Sequence, residues 1–87
     1  MYVIMVYDVT EEKVFKVLKT ARKYLNWVQN SVLEGEITEA KLFQLKKEIS
    51  DIVEKDKDSV IFYVLPTKKN FIKDVIGTLK KEQDFFI

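Results

Sequence analysis

Residues 2–9, YVIMVYDV, and residues 59–65, SVIFYVL, have the length of strands, yet neither shows a polar face. Successive side chains of a strand point to opposite sides of the sheet. Tyr2, Ile4 and Val6 therefore share one face with Asp8, while Val3, Met5, Tyr7 and Val9 form the other. In the second segment Val60, Phe62 and Val64 oppose Ile61, Tyr63 and Leu65. A sheet built from such strands must be covered on both sides, since a solvated face would alternate with polar residues. With 87 residues, the chain reads as one domain. The expected division is a core over 1–66 and a C-terminal strand and tail over 67–87.

Between these strands the apolar residues recur at helical spacing. Thr10 reads as an N-cap, with Glu11 and Glu12 in the first turn, where carboxylates favour the helix dipole. Val14, Val17, Leu18, Ala21 and Leu25 then form one stripe, which predicts a helix over 11–25. Phe15 lies off that stripe. The stretch NWVQNSVLEGE, 26–36, is extended and long for one strand, so it reads as two strands with a turn or bulge near Asn30–Ser31. Thr38 caps a second helix whose buried stripe is Leu42, Leu45, Ile49, Ile52 and Val53. EKDKD follows as a charged turn, and Pro66 stops the last core strand. FIKDVIG, 71–77, is expected as a further strand and DFFI as an apolar tail.

This order is α+β, the ferredoxin-like βαββαβ pattern with an extra C-terminal strand. Two helices cover one face of such a sheet. A second copy of the same sheet is the simplest cover for the other, so a homodimer joined through its sheets is expected.

Composition narrows the chemistry. The chain has neither histidine nor cysteine, which removes imidazole acid–base pairs, thiol nucleophiles and zinc–thiolate sites. A hydrolase of this composition would rely on carboxylates holding a hard cation. The formal net charge is only +1, but it is unevenly spread. Lys13, Lys16, Lys19, Arg22 and Lys23 lie in a stretch without an anion, and Lys68, Lys69, Lys73, Lys80 and Lys81 form a second basic zone. Both zones suit a polyanion, although solvated lysines are the commoner explanation of such zones. No apolar stretch approaches the ~20 residues that span a bilayer, and no basic region precedes the first apolar run. No membrane association and a cytoplasmic location are expected.

YVIMVYDV with Asp8 at its end, VQNSVLEGEI after the first helix, DSVIFYVLP before the tail, and VIG at 75–77 together resemble the CRISPR-associated Cas-two family along essentially the whole chain. The resemblance implies a ferredoxin-like protomer whose C-terminal strand reaches its dimer partner. It implies a role in adaptation, in which the dimer bridges the Cas-one integrase and holds incoming DNA on basic surfaces, here Lys13, Lys16, Lys19, Arg22 and Lys23. It further implies magnesium-dependent endonuclease activity, with Mn2+ as a substitute, on single-stranded RNA or double-stranded DNA. Asp8 matches the family's magnesium ligand and catalytic residue. Trp27 and Leu33 stand where many members carry arginine and phenylalanine.

Other readings remain at this stage. Asp8 also suits a turn or cap, and Ser31 suits turn hydrogen bonding better than nucleophilic attack, since no base adjoins it. Glu34 and Glu36 fit either a second metal or an exposed strand edge. A non-catalytic RNA-binding module, stacking bases on Tyr2, Tyr7, Phe62 or Tyr63, and a regulatory dimer without nucleic acid are the alternatives.

Overall fold

A computed structural model describes residues 1–67, 69 and 71–78. The strands are β1 (Tyr2–Asp8), β2 (Asn26–Gln29), β3 (Val32–Glu36) and β4 (Ser59–Leu65), and the helices are α1 (Glu11–Ala21) and α2 (Glu39–Ser50). They form one antiparallel sheet in the order β2-β3-β1-β4. β1 and β2 are separated by β3, and β3 and β4 by β1, so each helix crosses over an intervening strand. This is the expected ferredoxin-like arrangement.

Both helices pack on one face. Val3, Met5 and Tyr7 of β1 point into that layer and meet Val17, Leu18 and Ala21 of α1, Leu33 of β3, and Leu42, Leu45 and Ile49 of α2. Because strand side chains alternate, this register leaves Ile4 and Val6 on the opposite face, where they are half-buried. Their cross-strand neighbours on β4, Tyr63 and Ile61, are 55% and 46% exposed. The open face is thus apolar along β1 and β4, while β3 places Glu34 and Glu36 on it opposite Ile4 and Tyr2.

The predicted break near Asn30–Ser31 is present. Asn30 adopts φ 42°, in the left-handed region that Asn tolerates, and the chain reverses there from β2 to β3. The pairing slips between Trp27 and Gln29, a bulge that absorbs the odd residue. At α2, the Thr38 hydroxyl accepts from the Lys41 amide at 3.2 Å, as its cap role predicts.

Several expectations are corrected. α1 ends at Ala21 rather than residue 25. The Ala21 carbonyl accepts from both Tyr24 and Leu25 amides, at 3.0 and 2.9 Å, so the chain closes a tight turn. That turn drops Leu25 into the core at 4% exposure, on the line where β2 begins. Val14, placed on the buried stripe, is 40% exposed. Thr10 occupies the cap position, but its hydroxyl makes no capping bond and is buried without a partner; its carbonyl accepts from Lys13 instead. The charged turn at 54–58 is not wholly solvated, because Asp58 is buried.

The C-terminal segment also differs. Among the described residues, 71–77 pair with no strand of this chain. They lie against its own open face, the Phe71 ring 5.0 Å from that of Tyr2 and the Lys73 ammonium 2.5 Å from Glu34. Glu34 is therefore not an exposed edge residue. It is 9% exposed and bonded by Lys73 and the Tyr2 hydroxyl. Burial, and then the nearby Glu34 charge, push the Tyr2 phenol up to about 12. The expected DFFI tail and Lys68, Lys80 and Lys81 lie outside the described residues.

Candidate functional site

Asp8 is the last residue of β1, opposite Ser59 of β4, and its side chain is exposed. Among the described residues it has no hydrogen-bond or ion-pair partner. With Tyr7, Val9, Val14, Asn30 and Ser31 it lines a depression of about 310 Å³ at the end of the sheet. Burial pushes the Tyr7 phenol upward, so that group stays protonated.

Two anchors fix the backbone on either side of Asp8. On one, the Tyr7 amide donates to the Ser31 carbonyl at 3.1 Å, which seats the β2–β3 turn against β1. Ser31 contributes its backbone carbonyl to this contact. On the other, the Thr10 amide donates to Asp58 Oδ1 at 2.9 Å. Asp58 Oδ2 accepts from the Glu54 amide at 2.8 Å and from Lys13 Nζ at 2.7 Å. With its side chain fully shielded, Asp58 ties the loop after β1 to the turn before β4. The Glu54 amide, the Lys13 ammonium and the Thr10 amide hold its carboxyl at about 2. No sequence signal marks Asp58, since an acid before a strand in a charged run reads as solvent-facing.

The five basic residues of α1 and the turn after it divide into two groups. Lys13 bonds Asp58 and, at 2.9 Å, Glu54, which raise its pKa. Lys23 lies 2.5 Å from Glu48, which also accepts from the Tyr24 hydroxyl and is held below the usual carboxylate range by Lys23 first. Two of the five cations are therefore engaged by carboxylates of α2 and the turn after it. Lys16, Lys19 and Arg22 are exposed and form no ion pair among the described residues. The Arg22 guanidinium lies over the Trp27 ring, 5.4 Å from its centre. α1 thus presents a narrower cationic face than its sequence suggests, centred on Lys16, Lys19 and Arg22.

No group of three or more Asp, Glu, His or Cys residues that could hold a metal occurs among the described residues. None of the described helices is long and apolar enough to cross a membrane.

The family described as CRISPR associated protein Cas2 matches residues 1–72. The chain is 56% identical over 84 residues to the CRISPR-associated endoribonuclease Cas2 of Dictyoglomus turgidum, covering 97% of each chain. It is 54% identical over 85 residues to the protein of the same name from Thermotoga maritima, covering 98% of each. A crystal structure of cas2 superposes with a TM-score of 0.83 at 49% identity, over 92% of this chain and 90% of that one. The ferredoxin-like sheet and these likenesses agree: the chain belongs to the CRISPR-associated Cas2 family.

Proposed function

We propose that this chain is a CRISPR adaptation protein that works in the cytoplasm as a homodimer, binds nucleic acid and bridges the Cas-one integrase during spacer acquisition. We propose in addition that it is a magnesium-dependent endonuclease in which Asp8 is the metal ligand. The observation that carries the reading is Asp8 itself. It is an exposed carboxylate without a partner among the described residues, held by two loop anchors at the end of the sheet. Carboxylates that serve the fold here, Asp58 and Glu34, are shielded and bonded to lysines.

Asp8 fits a magnesium ion. Mg2+ prefers oxygen ligands and keeps several waters, so one carboxylate from each protomer satisfies it without the larger acidic cluster that this chain lacks among its described residues. Mn2+ has the same preference for oxygen. When bound, such an ion polarises a phosphate and supplies hydroxide near neutral pH. The chain's own contribution is positional: the Ser31 and Asp58 bonds fix the backbone from which Asp8 projects, and Lys16 and Lys19 attract the phosphate backbone. The relatives' name favours RNA as the cleaved substrate, while double-stranded DNA is the cargo expected in adaptation.

Dimerisation through the open face would cover Ile4, Val6, Ile61 and Tyr63 and bring two copies of Asp8 toward a common axis. The unpaired edge of β4 can accept residues 71–77 of a second protomer as an added strand. The test of the metal assignment is cleavage of labelled single-stranded RNA and duplex DNA by wild type and Asp8→Asn, with Mg2+, Mn2+ or EDTA. Asn is nearly isosteric, so the variant keeps the strand and loses the charge. Cleavage falls to background in Asp8→Asn while nucleic-acid binding persists. Equal activity from the two proteins overturns the assignment.

A further inference from the structure

Phe15, Leu18, Lys19 and Arg22 of α1 and the turn after it face Trp27 of β2 across a surface groove of about 390 Å³. The fold does not explain this groove. Phe15 is 74% exposed and lies off the buried face formed by Val17, Leu18 and Ala21. Trp27 is fixed from two sides, its indole Nε1 donating to the Asn30 carbonyl at 3.0 Å and its ring lying beneath the Arg22 guanidinium. Lys19 and Arg22 carry no ion pair among the described residues, and no carboxylate lines the groove.

We infer that this groove binds an unpaired nucleotide of a single strand, the base against Phe15 and the Arg22–Trp27 stack and the phosphate against Lys19. Aromatic planes beside unpaired cations suit a single strand, because every base offers a π-face and every linkage a charge. A duplex cannot use Phe15 in this way, since its bases are already stacked inside. An apolar peptide would leave Lys19 and Arg22 without a counter-charge. The groove also adjoins the Asp8 depression: Val14, which lines that depression, precedes Phe15, and Asn30 lines it while accepting the Trp27 N–H. A strand seated here would therefore extend toward Asp8. The inference deepens the nucleic-acid reading but does not require cleavage.

Trp27 is the only tryptophan of the chain, so its fluorescence reports the groove directly. The experiment is a titration in EDTA with single-stranded oligoadenylate RNA, with the same RNA paired to its complement, and with an acidic peptide. The single strand quenches Trp27, the blunt duplex does so weakly, and Phe15→Ala weakens single-strand affinity roughly tenfold, within the range of one lost base–aromatic stack. Phe15 is exposed, so that variant keeps its fold, which circular dichroism checks. Equal quenching by single strand and duplex, unchanged affinity in Phe15→Ala, or quenching by the acidic peptide alone overturns the inference. Because no metal is present, failure of the Asp8 assignment would leave this result unaffected.

Discussion

Replacing Asp58 with Asn tests whether the loop carrying Asp8 is held by one buried carboxylate. In the folded chain Asp58 accepts from the Thr10 and Glu54 amides and from Lys13, and its pKa falls from an ordinary 3.8 to about 2. A depressed pKa means that the folded chain binds this proton more weakly than the unfolded chain. The stabilisation is therefore fully present above 3.8 and is lost as pH falls through about 2. Midway between those values, near pH 2.9, unfolding takes up about 0.8 proton through this group alone. Asn removes the charge but keeps the shape and one acceptor oxygen.

The assay is the melting temperature of both proteins from neutral pH down to about 2, together with hydrogen exchange at the Thr10 and Glu54 amides. The variant melts lower at neutral pH, and the two curves converge across the window just derived, because protonated Asp58 resembles Asn. Lys13 and Lys23 also hold Glu54 and Glu48 low, so both proteins keep an acid limb and the difference between them carries the result. At the alkaline end, Lys13 has a raised pKa through its bonds to Asp58 and then Glu54, so its share is present below 10.5 and lost as pH rises past the folded value. Curves that run parallel, or unchanged exchange at Thr10 and Glu54, would refute the anchoring role.

Three other outcomes are expected. Lys16→Glu with Lys19→Glu weakens duplex DNA binding and flattens its dependence on salt, measured by titration at several ionic strengths, whereas Lys13→Glu disturbs folding because it places a like charge beside Asp58 and Glu54. Leu45→Ala, at a fully buried position between helix and sheet, costs about 2–5 kcal/mol in denaturant unfolding, and each kcal/mol lowers the melting temperature of a chain this size by about 4–8 °C. Ile61→Lys with Tyr63→Lys converts the dimer to monomer at micromolar concentration, read by light scattering; a wild type that is itself monomeric there would remove the dimer from the proposal.

What the sequence made legible was local. The two runs apolar on both faces located β1 and β4, the length of 26–36 announced a turn, and Thr38 followed by Glu39 marked the start of α2. What it hid was choice of partner. Lys13 and Asp58 are 45 residues apart and Lys73 and Glu34 are 39 apart, and no periodicity connects them. A basic stretch without anions therefore looked uniformly free, although α2 and its following turn supply Glu48, Glu54 and Asp58 to two of its lysines. The end of α1 was hidden for a related reason. Leu25 has helical spacing but reaches the core through a turn, because β2 must begin at Asn26. Asp8 could be singled out from the end of its strand, yet the bonds that hold its loop became visible only when distant segments met.

The open face links assembly to metal binding in the proposed dimer. Ile4, Val6, Ile61 and Tyr63 favour a second copy through apolar burial, an interaction that does not depend on charge. Asp8 lies on that same face of β1, so in the proposed dimer a two-fold contact over these side chains would bring two carboxylates nearer each other. Without a cation the pair repels or shares a proton, and either state opposes the contact. A divalent ion held between them removes the repulsion and, because it binds the dimer better than the separated chains, stabilises the dimer by mass action. The reverse follows from the same linkage: a surface that strengthens the dimer strengthens the ion site. One feature of the sequence, a strand apolar on both faces and closed by an aspartate, thus underlies both halves of the proposal, the second copy and the place where a cation would join the two.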